Sequence, residues 1–298
     1  MHVLVTGGAG FIGGNLVRKL LENPSVSVRV LDNLYRARNT FEGTPRVEFL
    51  QGDIRDRRMA RAAMDGIGLV YHLAAQANVL GAVADIDYSF TTNVAGTFEV
   101  LSAARECRVR RVVFASSREV YGEAPALPVP ESAPINPGNA YGASKAAGEL
   151  YCRVFMESGM EVVVFRLANV YGPGDAGRVI PLFVANALSG RPLVIYGEKK
   201  ILDFVWIGDV VDSLVIASDA PVAGQTINIG SGEGTGLADL ARRVLQLTGS
   251  RSAIEFAGAR KAETDRFVAD IRLAESLLNY RPSTALAHLP EVAAACGR

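Results

Sequence analysis

Tyr141 and Lys145 lie four residues apart in NAYGASKAAGE. On a helix that spacing puts both side chains on one face. A phenol with its ordinary pKa of about 10 is a poor base at neutral pH, and a nearby ammonium favours the phenolate. A tyrosine and lysine so placed can take a proton from a substrate hydroxyl. The second cluster is SSREVYG at 116–122, just after the apolar run RRVVFA. Ser117 there can polarise a hydroxyl, and Glu119 can move a second proton. Arg118 cannot act as an acid at neutral pH. Arg118 and Glu119 can equally form an ion pair beneath the site.

A third stretch, TGGAGFIG at 6–13, suits a different task. Gly8, Gly10 and Gly13 fit G-x-G-x-x-G, and Gly7, Gly10 and Gly13 fit G-x-x-G-x-x-G equally. Glycines there permit a tight turn and close approach of backbone to a pyrophosphate, while the helix that follows offers N–H donors. Asp32 stands nineteen residues past Gly13 at the end of an apolar run. A carboxylate in that place accepts from ribose hydroxyls and repels a 2′-phosphate, which favours NAD over NADP. Arg36 and Arg38 nearby leave NADP open. In GDI at 52–54, Asp53 can reach the adenine amino group or cap a helix.

Strands and helices must hold these groups. HVLV (2–5), VSVRVLD (26–32), VEFL (47–50), LVYHLA (69–74), RVVFAS (111–116) and EVVVFRL (161–167) read as strands covered on both faces. Residues 11–23, 57–66, 90–106 and 140–158 have helical spacing. The alternation predicts an α/β fold, a Rossmann-type doubly wound parallel sheet with a smaller C-terminal substrate-binding region. The expected division is a dinucleotide-binding domain over 1–168 with a return to the sheet at 208–230. The substrate region takes 169–207 and 231–298. The Pro-rich stretch 123–139 reads as a loop after a strand's carboxyl end, where such folds place ligands.

Composition narrows the function. The 298 residues are 49% hydrophobic, enough for a large core. Basic and acidic residues balance at 31 each, so no field favours nucleic acid. Cys107, Cys152 and Cys296 form no CxxC pair and suggest a reducing compartment. His2, His72 and His288 share no metal spacing, so no metal is expected. The chain enters an apolar strand at once and has no long unbroken apolar run, so a cytoplasmic, membrane-free protein is expected.

TGGAGFIG, DNL, GDI, HLAAQANV, TTNVAGT, ASSREVYG, YGASK and RLANVYGP together resemble the extended short-chain dehydrogenase/reductase family. Within it they are similar to the nucleotide-sugar epimerase/dehydratase group typified by UDP-galactose 4-epimerase. The resemblance spans nearly the whole chain, most densely before residue 175. It implies a catalytic trio of Tyr141 as base, Ser117 as hydroxyl partner and Lys145 as orienter. It places NAD against Gly7, Gly10, Phe11, Ile12 and Gly13, and against Asp32, Asn33 and Arg36. Further cofactor contacts fall on Asp53, Ile54, Leu73, Ala74, Ala75, Asn93 and Ser116, besides Tyr141 and Lys145. Ser117, Tyr141, Asn169, Val194, Tyr196, Arg260 and Glu263 fall at the nucleotide sugar, most naturally a UDP-sugar. Phe267 stands where epimerases often carry a tyrosine near the sugar.

The run GEKKILDFVWIGD departs from the family pattern, with Leu202 where an arginine usually grips the diphosphate. Lys199, Lys200 and Arg178 are candidate replacements. The implied activity is NAD-dependent 4-epimerisation of the UDP-glucose/UDP-galactose type through a transient 4-keto sugar. Glu119 resembles the glutamate of 4,6-dehydratases and UDP-glucuronate decarboxylases, so those lyase chemistries stand as the alternative. Against them, dehydratases commonly carry an acid at the position of Arg118. A non-catalytic NAD-binding sensor or scaffold subunit is a third reading, opposed by the intact trio. The resemblance also implies a homodimer through the helices at 90–106 and 140–158, with Val94, Phe98, Leu101, Leu150 and Val154 at the contact.

Overall fold

A computed structural model describes residues 1–37, 40–260 and 263–297. Arg38 lies outside the described residues. The first strands are β1 (His2–Thr6), β2 (Ser27–Asp32), β3 (Val47–Gln51), β4 (Leu69–His72), β5 (Arg111–Ser117) and β6 (Glu161–Leu167). Then come β7 (Asn169–Tyr171), β8 (Leu193–Tyr196), β9 (Ile201–Trp206), β10 (Thr226–Ile229), β11 (Gly234–Gly236), β12 (Ile254–Ala257) and β13 (Arg266–Phe267). Seven strands form one parallel sheet in the order β10-β6-β5-β4-β1-β2-β3. Chain order reverses between β1 and β4, so a crevice opens at their carboxyl ends.

The apolar runs alternate in destination. Val3 and Val5 pack on one face with α1 (Phe11–Leu21), while Leu4 packs on the other with α2 (Arg57–Ala63). The chain continues through α3 (Val79–Ala84), α4 (Ile86–Phe90), α5 (Thr97–Glu106) and α6 (Ala140–Glu157). Then follow α7 (Val179–Leu188), α8 (Ile207–Ile216), α9 (Leu237–Thr248), α10 (Arg272–Leu278) and α11 (Leu289–Cys296). Helices α1 and α8 cover one face of the large sheet, and α2, α5 and α6 the other. Such two-sided cover explains the near-continuous apolar strands.

The chain is helical throughout the expected 90–106, with a π-helical segment at Thr91–Gly96 joining α4 to α5. Leu101 is fully buried in the core, so it is unavailable for a surface contact, while Phe98, Leu150 and Val154 are exposed. The return to the sheet comes through β10, after α8. A separate core joins α7, α9 and α11 to β8 and β9. Beside it, β7, β9, β11 and β13 form a small sheet, and β8 pairs with β12.

Candidate functional site

One cleft of about 690 Å³ runs from the glycine loop, past the carboxyl ends of the large sheet, to β8 and β9. That size suits a bound small molecule.

At its first end, Gly10 N donates to Gly7 O at 3.1 Å and closes the turn between β1 and α1. A Cβ on Gly13 would stand 2.2 Å from Gly7 O, so only glycine lets α1 approach this closely. Asp32 reaches across the loop from β2. Its Oδ2 accepts from Ala9 N at 3.1 Å and its Oδ1 from Leu34 N at 2.8 Å. Burial raises the Asp32 pKa above the usual carboxylate value, and the two N–H bonds oppose that. Each oxygen keeps acceptor capacity toward the cleft. Asn33, Arg36, Ile54 and the Leu73-Ala74-Ala75 turn line the same end.

Two expected cofactor residues are differently engaged. Asp53 does not line the cleft, whereas its neighbours Gly52 and Ile54 do. Its carboxylate is gripped by Arg55 at 2.9 and 2.8 Å and by Asn33 Nδ2 at 2.9 Å. Burial works against the charge, yet these donors hold its pKa at about 2. Asn93 also faces away. It accepts from Gln76 N at 2.7 Å and donates to Ser144 Oγ at 2.8 Å, tying the β4 loop to α6. Thr92 takes the place on the cleft wall.

Midway along the cleft, Ser116, Ser117, Tyr141 and Lys145 share the wall. Asn139 caps α6 by accepting from Gly142 N at 2.8 Å, which starts the helix one turn before Lys145. A Cβ on Gly142 would meet Glu119 O at 2.3 Å, so glycine allows α6 to lie against the segment after β5. Burial raises the Tyr141 pKa, opposed by a hydrogen bond with Ser117 and by the Arg178 guanidinium. Lys145 Nζ donates to Ala115 O at 2.7 Å, so in this state the ammonium is held by β5. Burial lowers its pKa to about 8. Beneath the wall, Ser116 Oγ bonds Glu149, and Arg166 clamps Glu149 at 2.6 Å and Tyr121 Oη at 2.9 Å.

Glu119 is closely held. Oε1 lies 2.8 Å from Arg118 Nη2, and Oε2 accepts from Asn139 Nδ2 at 2.8 Å and Thr264 Oγ1 at 3.3 Å. The ion pair that the sequence left as one of two readings is present and buried.

The far end is built by the second half of the chain. Asn169, Val194, Tyr196, Arg260 and Glu263 all line it. The Arg260 guanidinium lies 3.6 Å from the Tyr196 ring centroid, and its Nη1 donates to Glu263 Oε1 at 3.1 Å. Lys200, Leu202 and Phe204 face the cleft alternately, as successive same-face positions leading into and along β9. Lys200 bonds Glu263, so one carboxylate holds two cations. Arg178 also lines the wall, 3.3 Å from Asp175. Phe267 does not reach the cleft. It is fully buried and stacks on Tyr121 at 6.0 Å.

Sequence reasoning missed Thr264, Thr92, Tyr88, Asp175 and the segment Ala77–Leu80. Asn78 carried a signal for the last of these, since it caps α3 by accepting from Gly81 N at 2.7 Å. Burial pushes Asp175 up to about 6.

A glycine turn, an acidic strand end and a tyrosine–lysine helix around one cleft define a dinucleotide-dependent enzyme acting on a hydroxyl. Residues 3–230 match the model of the NAD dependent epimerase/dehydratase family, and the chain belongs to that family. A putative UDP-glucose 4-epimerase of Methanocaldococcus jannaschii is 38% identical over 92% of this chain and 92% of its own length. A Thermotoga maritima UDP-glucose 4-epimerase solved with UDP-glucose superposes with a TM-score of 0.92 at 30% identity, covering 100% of this chain and 98% of that one. A dTDP-glucose 4,6-dehydratase from Streptomyces venezuelae solved with NAD gives 0.94 at 34% identity, covering 99% and 96%.

Proposed function

We propose that the chain is an NAD-dependent nucleotide-sugar 4-epimerase of the UDP-glucose/UDP-galactose type. The observation that carries the choice of epimerase is the state of Glu119. Both of its oxygens are taken by Arg118, Asn139 and Thr264, so the group a lyase would use as second acid–base is tied up. The cofactor end fits a dinucleotide. The glycine turn admits close backbone approach, and Asp32 keeps acceptor capacity where a ribose diol would lie. Bound there, NAD supplies a hydride acceptor that returns the hydride within each turnover.

The chain's own residues move the proton and hold the sugar. Tyr141 takes the proton of the reacting hydroxyl, and Ser117 hydrogen-bonds that oxygen and the phenol. Lys145 stays protonated below about pH 8 and orients the cofactor's sugar once released from Ala115 O. Burial alone would keep the phenol neutral. Arg178 and Arg118 pull the other way, and the site works by adding positive charge to that balance. The β8 and β9 wall, with Arg260 and Lys200, receives the nucleotide diphosphate.

The substrate region is proposed to comprise 169–207 and 231–298, with 1–168 and 208–230 holding the cofactor. A homodimer is proposed through the exposed Phe98, Leu150 and Val154 of α5 and α6. The free thiols Cys107, Cys152 and Cys296 fit a reducing cytoplasm. Dehydratase chemistry is the second reading, favoured by Glu119 lying on the cleft wall two residues from Ser117. Incubation with UDP-glucose in heavy water separates the two. The epimerase yields UDP-galactose of unchanged mass without deuterium on the ring. Loss of water with deuterium at carbon 5 would replace it with the dehydratase.

A further inference from the structure

Two tyrosines meet at the mouth of the cofactor end. Tyr35 follows β2, Tyr88 belongs to α4, and both line the cleft. Their ring centroids lie 4.6 Å apart with the planes inclined at 32°. A ring pair of this kind is favourable beyond the area it buries. Tyr35 is 59% exposed, so the pair stands at the rim of the cleft and not in the core.

Each ring is set from its own side. After β2, Asp32 Oδ1 accepts from Leu34 N at 2.8 Å and Asn33 Oδ1 from Tyr35 N at 3.0 Å, two side-chain turns that fix the path of the loop. On the other side, Asp85 caps α4 by accepting from Tyr88 N at 2.9 Å. The Arg55 guanidinium, held by Asp53, lies 4.9 Å from the Tyr88 ring centroid. Asn33 Nδ2 donates to Tyr88 Oη at 3.3 Å, a second tie between the two sides.

The topology decides what the pair spans. Helix α4 comes after β4, and β4 and β2 flank β1 in the sheet, so the glycine turn that ends β1 lies between the two sides. Asp32, three residues before Tyr35, marks the place of a ribose, and Tyr141 and Lys145 mark the reacting end. The pair therefore stands at the adenosine end, which Ile54 also lines. Both ties are made between protein groups alone, so they part for entry as well as for exit.

We propose that Tyr35 and Tyr88 form a latch over the adenosine end of the cleft and set the rate at which the dinucleotide exchanges. This rests on the reading that the glycine-turn end takes NAD. A latch raises the barrier in both directions and leaves affinity nearly unchanged, whereas an ordinary contact to the base slows exit alone. An enzyme that regenerates its cofactor within each turnover loses no rate to slow exchange.

Exchange kinetics with NADH as the fluorescent probe test it. A chase of the NADH complex with excess NAD gives the exit rate, serial dilution gives Kd, and their ratio gives the entry rate. Tyr88→Ala should speed exit and entry alike by about 5- to 30-fold, the scale of one ring pair with its hydrogen bond, with Kd held within about 3-fold. Tyr35→Ala, at an exposed position, should do the same, and the double variant should be no faster than either single one, since each removes the same contact. Tyr88→Phe keeps the ring and should keep most of the delay. A rise in exit alone overturns the latch and makes the rings plain contacts to the base. Additive effects in the double variant overturn it too, because the rings would then act apart. Normal NADH binding with unchanged rates in both alanine variants overturns the latch and leaves the cofactor reading standing. A wild type that takes up no NADH overturns the cofactor reading and the latch with it.

Discussion

The two ends of the cleft are assembled in opposite ways. The cofactor end hangs on β1, β2 and β4, all within the first 72 residues, and each contributes a loop at its carboxyl edge. The nucleotide end is stitched from distant pieces. Strand β9 pairs with β7, β11 and β13, and β8 pairs with β12 some sixty residues later. Short local segments can encode the first kind of site, because one turn and one helix start place the donors. The second kind exists only after long-range pairing. Its ion pair between Lys200 and Glu263 joins residues that no local pattern brings together.

If catalysis belongs to the shared middle of the cleft, the largest effect should come from Tyr141. Tyr141→Phe removes the proton carrier while leaving the ring that fills the wall. Turnover should fall by about a thousandfold, within the range of general acid–base catalysis, with NAD still bound. Wild-type rates in this variant would return the chain to the sensor or scaffold class.

Next in size is Asp32, which tests whether the cofactor end really acts alone. Asp32→Ala removes the acceptor for a ribose diol, the bond from Ala9 N that ties β2 to the glycine turn and the bond from Leu34 N just past β2. NAD affinity should fall by about 10- to 100-fold, as for one or two charge-assisted bonds. The affinity of UDP for the protein should hold. A matching loss of UDP binding would show that the two ends are coupled and that the contrast between them is false.

The contrast also explains what the sequence made legible. Strands β1, β2, β5 and β6 lie within a residue of their apolar runs, because burial on both faces leaves an unbroken signal. The glycine turn, Asp32, Ser117, Tyr141 and Lys145 all reach the cleft, since each sits at an element end whose position is locally set. Asp53 and Asn93 were legible as polar residues near the cofactor, but not the neighbours that would claim them, Arg55 and Gln76 with Ser144. Helical spacing over 90–106 was legible, but not which apolar face meets the core, so Leu101 read as surface when the core takes it. At the far end, motif resemblance supplied Val194, Tyr196, Arg260 and Glu263, while Thr264 and the bond of Lys200 to Glu263 had no signal of their own.

A smaller effect should come from Lys145, and its sign is unusual for a catalytic group. Burial lowers its pKa to about 8, against an unfolded value of about 10.4. Between those values the unfolded chain binds more protons, so this residue's contribution to stability rises with pH. Below about pH 8 both states are protonated and the whole cost of burying the ammonium is present, about 3 kcal/mol at most. Lys145→Met removes that cost and loses the bond to Ala115 O, worth about 1 to 3 kcal/mol. The melting temperature at pH 7 should rise by about 2 to 4 °C while activity falls, and the rise should vanish above about pH 10. A fall in melting temperature at pH 7 would mean that the bond to β5 outweighs the buried charge.

The smallest effect should separate the far end from the chemistry altogether. Lys200 is 4% exposed, faces the cleft two residues before Leu202, and is bound to Glu263. Leu202 offers no charge from its place on β9, so Lys200 is the cation that this strand's cleft-facing row presents. Glu263 holds Arg260 as well, and an arriving diphosphate competes with Glu263 for both cations. Lys200→Met leaves Glu263 its bond to Arg260, while the fold loses two ion pairs, the one to Glu263 and the looser one to Asp265 at 4.0 Å. The variant should raise KM for the nucleotide sugar about 5- to 10-fold with kcat unchanged, the pattern of binding lost equally from ground and transition states. A free sugar phosphate without the second phosphate should show a smaller change. If kcat falls with KM held, Lys200 acts on the reacting end, and the two ends of the cleft are one site in energy as well as in shape.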